Sequence, residues 1–156
     1  MDKELERVRA EAVGIELDEE LAARFPVKSR QKLEIPGDEA DITVYLYEPE
    51  NRTGVTPLII NLHGGGFVKS YRGRDIILSQ NFAWHTGCLV ADVDYKTAPE
   101  KKYPYAQMEG YRVVEYFYQH AEQYRIDPQR IILSGQSAGA NMIIGIAMRF
   151  LRREEH

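Results

Sequence analysis

Two hydrophobic periods follow one another in the N-terminal part of the chain. Between residues 2 and 25, apolar side chains recur at three- and four-residue spacing among charged ones, which is the pattern of amphipathic helices. We predict one or two helices there, ended by Pro26. Between residues 32 and 47 apolar and polar positions alternate around Pro36-Gly37. This second pattern predicts a two-stranded antiparallel ribbon with a short turn.

From residue 57 onward, compact apolar runs alternate with longer helical patterns. The apolar runs cover residues 58–62, 88–94 and 131–133, and the helical patterns cover 74–86, 106–123 and 138 to the end. An unbroken apolar run is typical of a strand buried on both faces. Strands that alternate with helices favour crossover connections and parallel pairing. The sequence therefore predicts an α/β fold with three αβα layers, in which helices cover both faces of a mostly parallel sheet.

Composition and charge narrow the possible functions. The 156 residues are 44% hydrophobic, which suits one domain with a core. The net charge of -4 argues against a nucleic-acid partner. The charged N-terminus is not a signal peptide, and no apolar run reaches the roughly 18 residues of a membrane helix. Because Cys88 is the single cysteine, an intramolecular disulfide and a cysteine zinc cluster are excluded. We expect a cytoplasmic protein with no membrane span.

The first candidate for chemistry is Gly135-Gln136-Ser137-Ala138-Gly139, which fits G-x-S-x-G between an apolar strand and a helix. This is the context of a nucleophile elbow, a turn so tight that the serine takes a strained backbone conformation. Glycine on both sides avoids collisions across the turn. The serine hydroxyl then lies at a helix N-terminus, where the dipole favours negative charge. The alternative is an ordinary glycine-rich turn, but the flanking strand and helix favour the elbow.

A second glycine-rich segment, His63-Gly64-Gly65-Gly66-Phe67, follows the first apolar strand. Three consecutive glycines leave backbone N–H groups free to donate to the oxyanion that forms in acyl transfer. A flexible turn or a phosphate cradle is the alternative, although neither G-x-G-x-x-G nor a Gly-Lys-Ser/Thr ending is present. Both segments follow parallel strands. They are therefore expected at the carboxyl edge of the sheet, where open sheets bind ligands.

Together these segments resemble the N-terminal half of an α/β-hydrolase of the hormone-sensitive-lipase-like esterase family. The matches run in family order: 63–67 resembles the oxyanion loop, 94–100 the D-Y-R-L-A-P-E segment, 103–104 the aromatic–proline pair, and 135–139 the G-D-S-A-G elbow. The resemblance spans residues 57–150. Gln136 replaces the more common Asp, and Lys96-Thr97 replaces Arg-Leu, which leaves the subgroup open.

The resemblance implies a role for each motif residue. Ser137 would be the nucleophile, and the N–H groups of Gly65, Gly66 and Ala138 would form the oxyanion hole. The residues that support the loop and the elbow would be His63, Gly64, Gly135 and Gly139. By the same resemblance, His63 would brace the loop and would not be the catalytic base. The resemblance further implies small short-acyl ester substrates, no metal and no organic cofactor.

The resemblance also divides the chain and indicates what it lacks. Residues 1–30 would be an N-terminal helical cap segment, and residues 31–156 the N-terminal half of the hydrolase core, truncated after the elbow strand and helix. The family's triad runs Ser, then Asp or Glu, then His along the chain. Only nineteen residues follow Ser137, and a helix through them puts His156 about 28 Å away. We therefore expect no triad acid or base in the chain.

The positions of the remaining histidines and of the last strand can also be predicted. His85 and His120 end crossover helices, so both should lie at the amino edge of the sheet, opposite Ser137. With nothing beyond it, strand 131–133 would be an exposed sheet edge. We expect self-association, or a partner that completes the sheet, and a chain that alone is weakly active or inactive. Two alternatives stay open: a non-catalytic small-molecule-binding homologue, and a subunit of a split esterase.

Overall fold

The computed structural model describes residues 3–11 and 16–154. Strands and helices alternate along most of this length, as the hydrophobic pattern predicts. In chain order the elements are α1 (Lys3–Ala10), α2 (Glu19–Ala22), β1 (Ser29–Ile35), β2 (Ile42–Glu48), β3 (Thr56–Leu62), α3 (Gly73–Thr86), β4 (Leu89–Asp94), α4 (Tyr105–Gln119), β5 (Ile126–Gly135) and α5 (Ala138–Glu154).

The strands form one mixed sheet in the order β1-β2-β4-β3-β5. β3 pairs in parallel with both β4 and β5, whereas β2 pairs antiparallel with β1 and with β4. The predicted antiparallel ribbon is therefore present. It also extends the sheet through β2, which the hydrophobic pattern does not predict. In the centre, Ile59 lies between Val90 of β4 and Ile132 of β5.

Helices cover both faces of the sheet, which confirms the three-layer αβα prediction. Because successive strand residues point to opposite faces, Ile60 and Ile59 belong to different clusters. Ile60 packs in the larger core with Val113 and Phe117 of α4 and residues of α5. Ile59 packs in a smaller core that includes Ala83 of α3 and the buried thiol of Cys88. The ends of β3 and β5, which lead into the two glycine-rich segments, thus belong to a sheet that helices cover on both faces.

The N-terminal helices are shorter than the pattern predicts. α1 buries none of its residues, and helices of this length are marginal without packing to support them. Its main attachment is Arg9, which donates to the carbonyl oxygens of Val68 and Ala98 and pairs with Glu100. α2 is one turn long, capped by the Asp18 side chain on the Leu21 N–H at 2.9 Å.

One edge of the sheet is open in the described part of the chain. β5 pairs with β3 on one side and with no described strand on the other. Ile132 of this strand is 49% exposed. Three large apolar side chains of α5 are also exposed: Ile144, Met148 and Leu151. The open edge predicted from the sequence is therefore present, although β5 is longer than the predicted 131–133.

Candidate active site

The turn between β5 and α5 has the strained geometry of a nucleophile elbow. Ser137, the residue at its apex, has φ 53°, a left-handed conformation that residues other than glycine rarely take. A Cβ on Gly139 would lie 1.9 Å from the carbonyl oxygen of Leu62, and one on Gly135 would lie 2.6 Å from the carbonyl carbon of Gly139. Both positions therefore require glycine, because other backbone segments lie too close to leave room for a Cβ. Ser137 itself is exposed.

Hydrogen bonds continue directly from this turn into α5. The Gly139 N–H donates to the Gln136 carbonyl oxygen at 2.9 Å, and the Asn141 N–H donates to the Ser137 carbonyl oxygen at 3.1 Å. The first N–H groups of a helix have no acceptor within it, and the dipole adds positive potential there. Ser137 therefore lies where negative charge is stabilised.

The glycine-rich loop after β3 also takes conformations that depend on glycine. Gly65 has φ 143° and Gly66 has φ 61°. A Cβ on Gly65 would lie 2.8 Å from the Lys69 carbonyl oxygen. Phe67 keeps φ 66° although it carries a side chain, and its carbonyl oxygen accepts the Ala98 N–H at 2.8 Å. Such strained residues concentrate at functional sites.

The structure brings the glycine-rich loop and the elbow into contact. A Cβ on Gly64 would lie 3.0 Å from the Gln136 carbonyl oxygen and 3.6 Å from the Cβ of Ser137. The strands that carry the two motifs are paired in parallel, with Leu62 opposite Gly135. The sequence-based expectation that both motifs meet at the carboxyl edge is met by these distances.

Two buried side chains fix the peptide between Gly64 and Gly65. The Gly64 carbonyl oxygen is 2.8 Å from Arg72 Nη2 and 2.8 Å from His63 Nδ1. In a trans peptide the C=O and N–H groups point in opposite directions. The Gly65 N–H therefore points away from Arg72 and His63. The Gly65 N–H is thus directed toward the opposite side of the loop.

His63 is buried beneath this loop. Its ring stacks on Tyr95 with centroids 4.0 Å apart, and the Tyr95 hydroxyl donates to the His63 carbonyl oxygen at 2.7 Å. Because Nδ1 faces the carbonyl oxygen of Gly64, that nitrogen carries the proton. Burial lowers the pKa of the ring, so His63 is neutral. Its contacts are those of a residue that supports the loop.

Arg72 is a site residue that the sequence analysis missed. Its guanidinium is buried against Asp75, with Nε 3.5 Å from Oδ2, and its backbone N–H donates to the same oxygen at 2.9 Å. An acidic residue three positions into a helix is a known N-terminal signal, so Asp75 could have been assigned to the cap. No sequence signal indicates that the Arg72 side chain reaches Gly64.

A buried polar cluster next to the elbow was also missed. Asp92 is fully buried and accepts hydrogen bonds from Ser79 Oγ at 2.6 Å, Tyr71 Oη at 2.8 Å and Asn61 Nδ2 at 2.8 Å. Burial raises the pKa of this carboxyl to about 7. The Asn61 Oδ1 in turn accepts from Gln136 Nε2 at 3.1 Å. The cluster therefore ends at the residue directly before Ser137.

The histidines predicted at helix ends are found there. His85 lies in the last turn of α3, with its ring 5.9 Å from that of Phe25, and His120 caps α4 and stacks on Tyr116. Both precede the starts of parallel strands, at the edge of the sheet opposite Ser137, as expected. His156 lies outside the described residues.

A small apolar pocket of about 150 Å³ lies beside the loop and the elbow helix. Phe67 of the loop and Asn141 and Met142 of α5 are among its lining residues. A larger groove of about 780 Å³ runs between α4 and α5. The larger groove is lined by no residue of the loop or the elbow, and the smaller pocket reaches the loop at Phe67 without being lined by Ser137 or the three glycines. In the described part of the chain, no three His, Cys, Asp or Glu side chains are grouped to hold a metal ion.

Comparisons with known proteins identify the family of the chain. A family model described as the alpha/beta hydrolase fold matches residues 59–156. Acetyl esterases from strains of Salmonella paratyphi A and Salmonella agona are 32% identical over 134 residues. That alignment covers 86% of this chain and 40% of each esterase. The chain therefore spans well under half the length of these relatives.

Solved structures show the same fold. An esterase from Pyrobaculum calidifontis superposes with a TM-score of 0.83 at 26% identity, over 99% of this chain and 49% of the esterase. A thermostable carboxylesterase from a metagenomic library superposes with a TM-score of 0.82 at 24% identity, over 97% of this chain and 51% of its own. At that identity the likeness concerns the fold alone.

Nothing among the described helices is long and apolar enough to cross a membrane. The family match covers more than half of the chain, and the mostly parallel arrangement of β3, β4 and β5 agrees with it. The chain belongs to the α/β-hydrolase fold family, in its hormone-sensitive-lipase-like esterase branch.

Proposed function

We propose that this chain supplies the nucleophile and the oxyanion hole of a carboxylic ester hydrolase. The observation that supports this most is the contact between the strained serine and the glycine-rich loop, where a Cβ on Gly64 would come within 3.6 Å of the Ser137 Cβ. The names of the related acetyl esterases favour small esters as substrates. No metal or organic cofactor enters the proposal.

In this proposal the Ser137 Oγ attacks the ester carbonyl carbon. The negative charge that develops on the carbonyl oxygen is stabilised by the N–H groups of Gly65, Gly66 and Ala138. One such donor typically contributes on the order of 10²- to 10³-fold to the rate. The orientation of the Gly65 N–H is supported by the two contacts to the Gly64 carbonyl oxygen.

Ser137 has no hydrogen-bonded base among the residues that the structure describes. A serine hydroxyl without a base is a weak nucleophile. We therefore propose that the chain alone is weakly active or inactive as an esterase. We further propose that residues 1–30 act as a cap segment beside the site, which the contacts of Arg9 to Val68 and Ala98 support.

We propose that the open edge is covered by further polypeptide of this fold, supplied by self-association or by a partner chain. Ile132 of the edge strand β5 is exposed, and α5 carries the exposed Ile144. An open strand edge next to apolar side chains favours pairing with another chain. The related esterases are more than twice as long as the aligned segment.

One alternative is favoured by a specific observation. The lack of a base among the described residues, together with an apolar pocket of about 150 Å³, also suits a protein that binds a small molecule without turnover. In that case Ser137 would contribute a hydrogen bond to the ligand and form no acyl intermediate.

Acylation of Ser137 separates the two functions. The purified chain is incubated with p-nitrophenyl acetate, and the acetylated residue is located by peptide fragmentation in a mass spectrometer. Because deacylation also needs a base, an acetyl group transferred to Ser137 should remain there. Ser134→Ala is the control: it removes the hydroxyl of a nearby serine near the end of β5. This variant should still be acetylated at Ser137. Acetylation of surface lysines alone would support the binding protein.

A further inference from the structure

The small apolar pocket and the larger groove share part of their lining. Tyr103, Pro104 and Gln107 line both the pocket of about 150 Å³ and the groove of about 780 Å³. Tyr103 and Pro104 directly precede α4, and Gln107 lies in its first turn. The two cavities therefore adjoin at the start of α4.

The residues of α5 that line these cavities follow one another along the helix from Ser137. Asn141 and Met142 line the pocket, whereas Gly145 and Met148 line the groove. Asn141 lies one turn from Ser137, because its N–H donates to the Ser137 carbonyl oxygen at 3.1 Å. At about 1.5 Å per residue, the pocket begins roughly 6 Å along the helix from Ser137, and the groove begins roughly 12 Å along it. A chain that extends from Ser137 along α5 thus meets the pocket first.

The side chain of Gln107 lies at the boundary between the two cavities. A Cβ on Gly145 would lie 1.9 Å from Gln107 Nε2 and 2.9 Å from Gln107 Cδ. The amide is therefore packed directly against the backbone of α5, in the space that glycine leaves open. Met142 is the last residue of α5 that lines the pocket, and Gly145 is the first that lines the groove. The amide thus fills the space between α4 and α5 where the pocket ends and the groove begins.

The lining of the pocket suits an apolar chain. Half of the lining residues are apolar: Phe67, Ala98, Pro104, Ala106 and Met142. Two lysines also line it, and each ammonium group is paired with a carboxylate, Lys96 with Glu109 and Lys101 with Glu39. An apolar cavity of about 150 Å³ can hold a group of the size of benzene, which corresponds to about six carbons. A longer chain would have to continue past Gln107 into the groove.

We propose that Gln107 is a specificity-determining residue: its amide closes the pocket toward the groove and so limits the length of the apolar chain that extends from Ser137 along α5. That this chain belongs to an ester attacked by Ser137 rests on the proposed function. The closure itself is a property of the two cavities. It can be measured with an alcohol that binds without reacting, so failure of the closure and failure of the proposed function are distinguishable.

The test follows the methionine methyl signals by NMR in the full chain, labelled with methyl-¹³C methionine and titrated with 1-hexanol or 1-decanol. Met142 reports on the pocket and Met148 on the groove. In the unmodified chain, 1-hexanol should move the Met142 signal, and neither alcohol should move the Met148 signal. In Gln107→Ala, 1-decanol should move both signals and bind roughly tenfold or more tightly than in the unmodified chain, because each newly buried methylene contributes about fourfold in affinity.

Gln107→Leu is the matched control, because leucine is of similar size, lacks the amide and should keep the Met148 signal constant. The proposal would be overturned if 1-hexanol left the Met142 signal of the unmodified chain in place. Movement of the Met148 signal by 1-decanol in the unmodified chain, as large as in Gln107→Ala, would also overturn it. So would equal affinities of these two proteins for 1-decanol. Titrations as expected, without acetylation of Ser137 by p-nitrophenyl acetate, would count against the proposed function alone.

Discussion

The buried guanidinium of Arg72 donates to the carbonyl oxygen of Gly64 at 2.8 Å. Through this bond the N-terminus of α3 fixes one peptide of the glycine-rich loop, eight residues away in sequence. Because Arg72 is itself paired with Asp75, the orientation of the Gly65 N–H depends on a buried ion pair. Changes at Arg72 should therefore affect both stability and the candidate oxyanion hole.

Arg72→Met should destabilise the fold by about 3 kcal/mol or more, because it leaves the buried Asp75 without its main cation. Adding Asp75→Asn removes the buried charge, which then has only the half-exposed Arg74 as a partner, and keeps a cap on the backbone, so the double variant should recover part of the loss. Urea unfolding of the three proteins measures both effects. A double variant that is less stable than Arg72→Met would contradict the role of the ion pair.

The elbow should not accept a side chain at position 139. In Gly139→Ala the added Cβ would lie 1.9 Å from the Leu62 carbonyl oxygen, and we expect a loss of about 3 kcal/mol or more in the free energy of unfolding. Gly54→Ala is the control, since its Cβ meets nothing within 4 Å and only the positive φ is strained, at about 1 kcal/mol. Equal losses in the two variants would show that the elbow is not close-packed.

The stability of the chain should depend on pH through Asp92. Its pKa is about 7 in the folded state against 3.8 for the ordinary value, so the folded state binds the proton more tightly. The resulting stabilisation is full below about pH 4 and is lost as the pH rises through 7, a change of up to about 4 kcal/mol. Urea midpoints measured from pH 5 to pH 8 should fall in the unmodified chain relative to Asp92→Asn. A difference that is constant across this range would be evidence against the shifted pKa.

The open edge should govern association. We expect the chain to sediment above its monomer mass, and Ile144→Arg to shift it toward the monomer because a charge interrupts the exposed apolar face. Val55→Arg, at an equally exposed apolar position directly before β3, should leave the mass unchanged. Analytical ultracentrifugation over a range of concentrations decides this. If the unmodified chain stays monomeric, self-association is contradicted. A separate partner chain would then have to cover the open edge.

The sequence predicts those parts of the fold in which burial requires apolar side chains at regular positions. β3 and β4 are covered on both faces, so each is a mostly apolar run, and this run identifies the strand. α1 shows the opposite case: its spacing is helical, but it buries no residue, and the helix ends earlier than the pattern does. The elbow and the glycine-rich loop were predictable because tight backbone geometry demands glycine at fixed positions.

The polar cluster and Arg72 could not be predicted, since they depend on strand register and on side-chain reach. Asn61 and Asp92 each look like an isolated exception within an apolar run. Only the parallel register, which places Asn61 opposite Asp92, makes them partners. The register between two strands depends on the packing of the whole sheet. It therefore cannot be predicted from the sequence of either strand alone.

We propose that Ser137 is a nucleophile beside an oxyanion hole and that it lacks only a base. This claim is tested most directly by p-nitrophenyl acetate hydrolysis in the presence of added imidazole, which can accept the serine proton from solution. We predict an imidazole-dependent rate above that of imidazole alone, retained in Ser134→Ala and absent in Ser137→Ala. The same rate in Ser137→Ala as in the unmodified chain would contradict the claim.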